Sequence, residues 1–375
     1  MSAPSAGSPG RIAILTSGGD APGMNAAIRA ATLIAIARGS EVVGIQHGYR
    51  GLLEGELRPL GPADVGGIIR EGGTILGSVR CKEFHEREAR DVARARLREH
   101  GVGGLVVIGG NGSLAGAQAL CDPSEAGDEV VRVVGIPASI DNDIGLTGLA
   151  IGVDTAMNTI VEACDKISDT ASAHDRVFIV EVMGRDCGYL AMTSAIASGA
   201  DAVLFPEAEK SEDEIVASLL RTIDGIRGRV GRSRRAIVVK AEGVGIAADR
   251  LKHRLDEHLR ARAQGKPAPI ETRVTVLGHL VRGGRPSAFD RLLASRLAHV
   301  AVRALLAGET RKMAAWMVPF EPDSKIATRS ADDPYCWLVD LSAALEETGR
   351  LLERTSALVR WRTRVLGEIE EVLAT

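Results

Sequence analysis

Two segments combine glycine residues with the expected start of a helix. Residues 16–25 read Thr-Ser-Gly-Gly-Asp-Ala-Pro-Gly-Met-Asn, and residues 106–116 read Val-Val-Ile-Gly-Gly-Asn-Gly-Ser-Leu-Ala-Gly. Glycine lets backbone amides approach an anion closely, and a helix N-terminus adds partial positive charge. A tight turn without a ligand is the alternative for either segment alone. Because there are two such segments, we interpret them as phosphate-binding loops.

A pair of carboxylates follows a third apolar run. Residues 135–143 read Gly-Ile-Pro-Ala-Ser-Ile-Asp-Asn-Asp, so a single residue separates Asp141 from Asp143. Ligands of parallel α/β proteins bind beyond the carboxyl ends of the strands. Aspartate in a loop often only caps a turn. Beside two phosphate-type loops, we instead predict a general base and a Mg²⁺ ligand.

Several arginines stand singly rather than in basic runs. A lone arginine can bind phosphate in a bidentate manner, although each alone is more commonly part of a surface ion pair. His279 alone would likewise more often be an ordinary core or surface histidine. The isolated arginines near glycines or turns are Arg80, Arg176, Arg185, Arg273 and Arg282.

Short β-branched runs alternate with helical patterns along most of the chain, and this order predicts parallel sheets. The predicted strands are residues 11–16, 41–45, 104–108, 130–136, 177–182, 202–205, 235–240 and 274–277. Helices are predicted at residues 212–226 and 287–306. After a loop at residues 321–334, residues 341–374 indicate one or two amphipathic helices.

The composition is that of a soluble globular protein rather than a polyanion-binding or membrane protein. The 375 residues favour two lobes, and the net charge of −3 predicts no nonspecific attraction to nucleic acid or membranes. No apolar run is long enough to span a membrane. The five cysteines lack paired spacing, and no signal segment is recognisable, so we expect a reduced, cytoplasmic protein with a flexible N-terminus at residues 1–10.

Five motifs together resemble the 6-phosphofructokinase family, in its ATP-dependent, bacterial-like form. They are Ser-Gly-Gly-Asp-Ala-Pro-Gly-Met-Asn (17–25), Gly-Thr-Ile-Leu-Gly-Ser (73–78), Pro-Ala-Ser-Ile-Asp-Asn-Asp (137–143), Val-Met-Gly-Arg (182–185) and Val-Leu-Gly-His-Leu-Val-Arg-Gly-Gly (276–284). The resemblance covers roughly residues 11–310. It implies an α/β, two-lobed phosphofructokinase-like fold in which each lobe is a mostly parallel sheet flanked by helices.

The resemblance also implies how the chain is divided. Residues 11–150 would form the larger nucleotide-binding lobe, completed by part of the C-terminal region. Residues 151–310 would form the smaller sugar-phosphate lobe with a crossover back, and residues 311–375 a C-terminal loop and helical extension. The family usually forms homotetramers, with a homodimer as the alternative. Arg176 and Arg273 would reach the neighbouring subunit's active site.

The resemblance assigns ligand contacts position by position. ATP would contact Gly19, Tyr49, Arg80, Cys81, Asn111, Gly112, Ser113 and Gly116. Fructose 6-phosphate would contact Ser139, Asp141, Arg176, Met183, Gly184, Arg185, Glu242, Arg273, His279 and Arg282. Asn111 and Asp143 would be the Mg²⁺ ligands.

The implied reaction is phosphoryl transfer to the sugar's 1-hydroxyl, in which positioning and charge stabilisation provide most of the catalysis. Asp141 would accept the hydroxyl proton, and Ser139 would keep the hydroxyl of the family's usual threonine. Arg80 and Arg185 would neutralise the migrating phosphoryl group. The sugar's 6-phosphate would be held by Arg176, Arg273, His279 and Arg282.

Asn111 is the main departure from the family pattern, which has aspartate there as a Mg²⁺ contact. An amide retains an oxygen but no charge, so weaker metal binding, another phosphoryl donor or a regulatory subunit are the alternatives. Pyrophosphate users carry Asp where this chain has Gly112 and Lys where it has Ala138. The two small residues therefore favour ATP. Cys81 replaces an aromatic residue that is common in bacterial relatives.

The effector site of bacterial relatives is only partly matched. Arg29 retains the expected charge, whereas the other matching positions carry no charge, although Arg232, Arg234 and Arg235 lie near the last of them. These uncharged positions are Leu33, Pro62, Ser168 and Ser233. We therefore expect altered or absent control by multiply charged effectors.

Overall fold

The computed structural model describes residues 10–127, 131–227, 235–262, 270–317 and 325–373. Apart from Gly10, the N-terminal segment predicted to be flexible lies outside these ranges. Within the described residues, no helix has the length and apolar character needed to cross a membrane.

The described strands are, in chain order, β1 (Arg11–Ser17), β2 (Glu41–Ile45), β3 (Leu57–Pro59), β4 (Gly104–Gly109), β5 (Arg132–Pro137), β6 (Val177–Val182), β7 (Ala202–Leu204), β8 (Ala236–Ala241), β9 (Thr272–Val276), β10 (Lys312–Trp316), β11 (Ala327–Arg329) and β12 (Cys336–Asp340). The described α-helices are α1 (Met24–Ala37), α2 (Gly48–Glu54), α3 (Arg87–Glu99), α4 (Asn111–Leu120), α5 (Pro123–Ala126), α6 (Val153–Ala173), α7 (Tyr189–Ser198), α8 (Glu212–Arg227), α9 (Ala248–Arg262), α10 (Ala288–Leu306), α11 (Leu341–Leu352) and α12 (Ala357–Leu373). Short 3₁₀ turns lie at Ile68–Arg70, Lys82–His85, Pro206–Ala208 and Gly278–Arg282.

The larger sheet has, among the described residues, eight strands in the order β11-β12-β10-β5-β4-β1-β2-β3. Strands β2, β1, β4, β5 and β10 are parallel to one another, β3 pairs antiparallel with β2, and β12 pairs antiparallel with both β10 and β11. The chain leaves β1 for β2 on one side and later returns to β4 on the other. The loops after β1 and β4 therefore lie at a topological switch point, where ligands bind in open α/β sheets.

The smaller sheet has the described order β7-β8-β6-β9, and its strands are all parallel. Strand β6 is central, with β8 on one side and β9 on the other. Met183 directly follows β6, Glu242 follows β8 and Leu277 follows β9. The backbone amides of Glu242 and Leu277 donate to the carbonyls of Val182 and Glu181, so the hydrogen bonding of the sheet continues into these segments.

Two compact units divide the chain. The first contains Met1–Ile140, Ile144–Thr155 and Arg282–Arg350, and the second contains Asp141–Asp143, Ala156–Val281 and Leu351–Thr375. Helix α10 and strands β10–β12 thus complete the first unit, and the return comes at Arg282 rather than near residue 310. The reason is packing, because α10 buries its apolar face against α1, β5 and β10.

A buried carboxylate fixes the start of α10 in the first unit. Ser287 caps the helix by accepting a hydrogen bond from the backbone amide of Asp290. Asp290 is fully buried and accepts hydrogen bonds from Gly152 and Thr155. Burial raises the pKa of Asp290, and the hydrogen bonds from Thr155 and Gly152 oppose that rise.

The predicted fold class and the eight predicted strands are confirmed to within a few residues. The C-terminal prediction of one or two helices is also confirmed, by α11 and α12. Of the loop predicted at residues 321–334, residues 321–324 lie outside the described residues, and the prediction is wrong at Ala327–Arg329, which form β11 paired antiparallel with β12. Strands β3, β10 and β12 were not predicted, because none of them contains a run of β-branched residues.

Candidate active site

The first glycine loop joins β1 to α1. Gly18 and Gly23 have φ angles of 84° and 110°, which other residues rarely adopt. The Thr16 hydroxyl donates to the carbonyl of Gly77 at 2.7 Å, and the Ser78 hydroxyl donates to the carbonyl of Gly18. The motif at residues 73–78 is therefore held against this loop.

The second glycine loop lies directly beside the first. A side chain at Gly109 would come within 2.6 Å of the Ser113 hydroxyl, and one at Gly18 would come within 3.0 Å of the same oxygen. Ser113 is buried, and its hydroxyl has no hydrogen-bond partner in the part of the chain that the structure describes. A buried hydroxyl between two glycine loops is suited to an incoming polar ligand such as a phosphate oxygen.

Helix α4 begins at Asn111, so Asn111, Gly112 and Ser113 form its first turn. The Oδ1 atom of Asn111 is shielded from solvent. A Cβ atom placed on Gly112 would meet nothing within 4 Å, so open space adjoins this turn. The N-terminus of α4 thus combines exposed glycine backbone with the helix dipole, as an anion site requires.

Tyr49 supports this turn from below. Its hydroxyl donates to the carbonyl of Ser113 at 2.6 Å, and its ring stacks on Phe84 with centroids 4.0 Å apart. Only a glycine fits at position 116, because a Cβ there would lie 2.8 Å from the Tyr49 ring. Burial raises the pKa of Tyr49 well above its usual value. Tyr49 is therefore neutral and stabilises the first turn of α4, and its hydroxyl proton is used in the hydrogen bond to the Ser113 carbonyl.

Three further residues of the predicted nucleotide and phosphate sites belong to the first unit. Arg80 is exposed, and no described acidic group forms an ion pair with it. Cys81 has a raised pKa because of partial burial and a hydrogen bond to Glu83. Arg282 lies beside the first glycine loop, where it donates to the carbonyl of Asp20 at 3.3 Å. Its Nη1 atom is 2.6 Å from where a Cβ at Gly19 would lie.

In the second unit, the Met183–Gly184–Arg185 segment turns sharply after β6. Gly184 has a φ of 128°, and a Cβ on it would lie 2.6 Å from the carbonyl oxygen of Cys187. A Cβ on Gly243 would lie only 1.7 Å from the Arg185 carbonyl oxygen. The two strand ends can therefore approach only because both positions are glycine. This arrangement places exposed Arg185 and exposed Glu242 at neighbouring strand ends.

Arg176 and Arg273 share one carboxylate. Arg176 lies 2.9 Å from Glu271, and Arg273 lies 2.6 Å from the same residue. Sequence reasoning did not identify Glu271, although alternation along β9 places residues 271 and 273 on one face. His279 is exposed on the following 3₁₀ turn.

The predicted site motifs are divided between the units. Ser139 belongs to the first unit, whereas Asp141 and Asp143 belong to the second. Likewise, Arg282 belongs to the first unit and His279 to the second. Asn142, between the two aspartates, is buried with a φ of 52°, a conformation that Asn adopts more readily than most residues.

The described residues contain no cluster of three or more His, Cys, Asp or Glu side chains that could enclose a metal ion. The effector positions Arg29, Leu33, Pro62 and Ser168 are described, with Arg29 half-buried on α1. Ser233, Arg232 and Arg234 lie outside the described residues.

Residues 11–305 match the family of proteins described as Phosphofructokinase. The chain belongs to the phosphofructokinase family. It is 47% identical over 305 residues to an ATP-dependent 6-phosphofructokinase of Thermotoga neapolitana, covering 81% of this chain and 89% of that protein. An ATP-dependent 6-phosphofructokinase of Clostridium botulinum is 49% identical over 303 residues, covering 81% and 88% of the two chains.

Solved phosphofructokinases share the fold. The Pichia pastoris phosphofructokinase in the T-state superimposes with a TM-score of 0.82 at 32% identity, covering 97% of this chain and 42% of the other. The Saccharomyces cerevisiae phosphofructokinase gives 0.76 at 33% identity, and this chain spans 47% of that protein's length. A pyrophosphate-dependent phosphofructokinase from Marinobacter aquaeolei gives 0.72 at 22% identity over 89% and 83% of the chains, which shows the fold alone.

Proposed function

We propose that this phosphofructokinase transfers the γ-phosphoryl group of ATP to the 1-hydroxyl of D-fructose 6-phosphate, giving fructose 1,6-bisphosphate in glycolysis. The observation that carries the proposal is the pair of adjacent glycine loops at the β1/β4 switch point. The buried Ser113 hydroxyl lies between Gly18 and Gly109. The relatives at 47–49% identity are named as ATP-dependent 6-phosphofructokinases, which supports the same donor and acceptor.

The nucleotide contacts are proposed for the first unit. Backbone amides around Gly19 and Gly112 would bind donor phosphates, and the Ser113 hydroxyl would donate to one of their oxygens. Arg80, exposed and without a described ion pair, would bind the phosphoryl group as charge moves during transfer. Tyr49 and Gly116 would act indirectly by fixing the first turn of α4. Cys81 adjoins Arg80 and would border the nucleotide.

The sugar contacts are proposed mainly for the second unit. Met183, Gly184, Arg185 and Glu242 stand at the ends of β6 and β8, where an α/β protein binds its ligand. Arg176, Arg273 and His279 would bind the 6-phosphate, as would Arg282 of the first unit. Ser139 would position the acceptor. Asp141 would take the proton of the 1-hydroxyl as the phosphorus–oxygen bond forms, which makes the acceptor a better nucleophile.

Mg²⁺ is the proposed metal, with Asn111 and Asp143 as candidate ligands. When bound, it would neutralise donor-phosphate charge. Asn111 offers a neutral oxygen and Asp143 a charged one, and both suit a hard cation. We therefore expect a working enzyme with a higher Mg²⁺ requirement than an aspartate at position 111 would give.

ATP is favoured over pyrophosphate as the donor. Gly112 has open space around its α-carbon, and Ala138 is small. Neither position therefore blocks the α-phosphate of a nucleotide, which pyrophosphate lacks. A pyrophosphate-dependent enzyme and a weakly active regulatory subunit are the remaining alternatives. The deciding experiment compares initial rates of fructose 6-phosphate phosphorylation with ATP, ADP and pyrophosphate. Highest kcat/KM with ATP is the expected result. A higher value with pyrophosphate would replace the proposal, and no rate with any donor would favour the regulatory subunit.

A homotetramer or homodimer with shared active sites is proposed from the family position of Arg176 and Arg273. Subunit mixing tests it directly. Asp141→Ser and Arg273→Ala variants, each of low activity alone, should regain part of the wild-type rate after unfolding and refolding together. If the site lies within one subunit, the mixture should show only the average of the two separate rates.

A further inference from the structure

Helix α12 lies outside the segment that matches the family, yet it is part of the second unit. It contacts β7 and the Pro206–Ala208 turn. Arg354, just before this helix, forms an ion pair with Glu209, which follows the turn. The C-terminal residues are therefore bound to the segment that carries Glu207.

Arg362 is the buried cation of this helix. It is only 8% exposed, although the neighbouring residues Trp361 and Arg364 are exposed. Its guanidinium lies 4.6 Å from the centroid of the Tyr189 ring, within cation–π range. Its Nη1 atom also lies 3.8 Å from the sulfur of Cys187. Burying a guanidinium is costly, so these contacts fix its position.

The two partners of Arg362 lie where the turn after β6 meets α7: Cys187 is in the turn, and Tyr189 is the first residue of α7. Cys187 and Tyr189 flank Gly188, whose amide donates to both carboxylate oxygens of Glu207 at 2.9 and 3.0 Å. A Cβ on Gly188 would lie 2.4 Å from the Cβ of Phe205, so this turn is tightly packed. The same turn begins with Met183, Gly184 and Arg185. Its two ends are connected because the Cys187 carbonyl occupies the space beside Gly184.

The charges around Cys187 favour a cation at this place. The carboxylates of Glu207 and Asp143 raise the pKa of the Cys187 thiol, whereas the guanidinium of Arg362 lowers it. Burial is the largest cause that raises the pKa of Cys187 to about 12, followed by Glu207. The thiol is therefore neutral, and the charge of Arg362 balances the nearby carboxylates rather than a thiolate. Arg362 thus combines packing on Tyr189 with electrostatic compensation.

We propose that Arg362 is a positioning residue for fructose 6-phosphate, acting through Tyr189 and Cys187 on the segment at residues 183–188. This inference rests on the proposed function, because it takes Met183–Arg185 as sugar contacts. It assigns a role to α12, a helix that lies outside the family-matching residues 11–305. Arg362 itself need not touch the sugar. It holds the turn in the conformation that presents Arg185.

The kinetic test compares Arg362→Gln with Arg364→Ala, which removes the same charge from an exposed position of the same helix. Arg362→Gln should raise the KM for fructose 6-phosphate about tenfold, the ratio that loss of a desolvated cation–π contact supports. The KM for ATP should change less than about twofold, since the nucleotide contacts belong to the first unit. Arg362→Lys should recover part of the effect because it keeps the cation. Arg364→Ala should match the wild type.

Tyr189→Leu provides a second variant and a coupling test. If Arg362 acts through Tyr189, adding Arg362→Gln to Tyr189→Leu should raise the KM for fructose 6-phosphate by much less than it does alone. Full additivity of the two changes would overturn the proposed connection. An unchanged KM in Arg362→Gln, with only a lower Tm, would reduce Arg362 to a stabilising residue and would also overturn the proposal.

Hydrogen–deuterium exchange separates this inference from the proposed function, because it requires no activity. Amides of residues 183–188 should exchange faster in Arg362→Gln than in the wild type and Arg364→Ala. Unchanged exchange would overturn the positioning role even in an active kinase. Faster exchange in a protein that phosphorylates no sugar would confirm control of the turn while the proposed function failed.

Discussion

The guanidinium of Arg273 lies 2.6 Å from the carboxylate of Glu271, two residues earlier in the chain. Arg176 binds the same carboxylate from the neighbouring strand, next to the position where β6 and β9 pair. All three side chains are partly exposed, so the two cations remain accessible. Glu271 therefore organises the two arginines and, at the same time, competes with any phosphate for them.

This shared ion pair predicts opposite effects for two variants. Arg273→Ala should raise the KM for fructose 6-phosphate at least tenfold, because a charge-assisted contact of about 2 kcal/mol or more to a dianion is lost. Glu271→Gln should lower that KM about two- to fivefold, since it removes the competing charge while keeping the shape. Steady-state kinetics at saturating ATP measures both. A higher KM for fructose 6-phosphate in Glu271→Gln would instead mean that Glu271 contributes more by orienting the two arginines than it costs by competing with the phosphate for them.

Asp141→Ser tests the proposed general base. We expect kcat to fall at least about 100-fold, as is usual when a general base is removed. Dissociation constants for ATP and fructose 6-phosphate, measured by calorimetry, should stay within a few fold of wild type. Asp165→Asn, on the exposed side of α6, is the control for loss of one negative charge. Near-normal turnover in Asp141→Ser would remove Asp141 from this role.

Asn111→Asp tests the weakened Mg²⁺ contact. The added charge should lower the Mg²⁺ concentration for half-maximal rate about tenfold, if the contact contributes roughly 1.4 kcal/mol. Turnover at saturating Mg²⁺ should change less. The measurement is initial rate against free Mg²⁺ at fixed ATP and fructose 6-phosphate.

Two other outcomes for Asn111→Asp would be informative. An inactive wild type that gains activity with Asn111→Asp would establish the regulatory-subunit alternative. A lower rate at every Mg²⁺ concentration would show that the Asn111 amide itself contributes, for example by donating to a phosphate oxygen.

The buried ion pair of Lys240 with Glu181, near the end of β8, leads us to expect a large effect of its removal on the free energy of unfolding. The Lys240 side chain is fully buried and donates to Glu181 at 2.8 Å and to the carbonyl of Ala241 at 3.1 Å. Lys240→Met should lower the free energy of unfolding by about 3 kcal/mol, because Glu181 is left without its cation. Adding Glu181→Gln should recover much of the loss. Urea unfolding measures this, with Lys166→Met at the exposed pair with Glu162 as a control costing less than about 1 kcal/mol.

The sequence predicted the fold wherever a strand was long and apolar. Strands β1, β4, β5 and β6 are almost continuously buried, and their β-branched residues made them recognisable. Strand β10, with Lys-Met-Ala-Ala-Trp, carries no such signal, and its place beside β5 depends on pairing between distant parts of the chain. Local pattern therefore identified the two sheet centres and missed the edge formed by β10–β12.

The candidate site was predictable to the extent that it consists of loops at strand ends. The adjacency of Ser113 to Gly18 and Gly109 follows from the parallel pairing of β1 with β4; the strand pattern predicted parallel sheets but not which strands are neighbours. The partners of the arginines were not predictable in this way. Glu271 meets Arg176 through the register of β6 and β9, and Arg362 meets Tyr189 across a large sequence separation.

The order of synthesis matters for the larger sheet, because its fifth parallel strand, β10, is translated late. Strand β5 pairs with β4 on one side and with β10 on the other, and the whole smaller sheet is encoded between β5 and β10. At translation rates of about 5–20 residues per second, the β10 side of β5 stays without its partner for on the order of ten seconds. An unpaired strand edge is a template for aggregation. Nascent chains of this protein are therefore most vulnerable, and most dependent on chaperones, while their second half is still being translated.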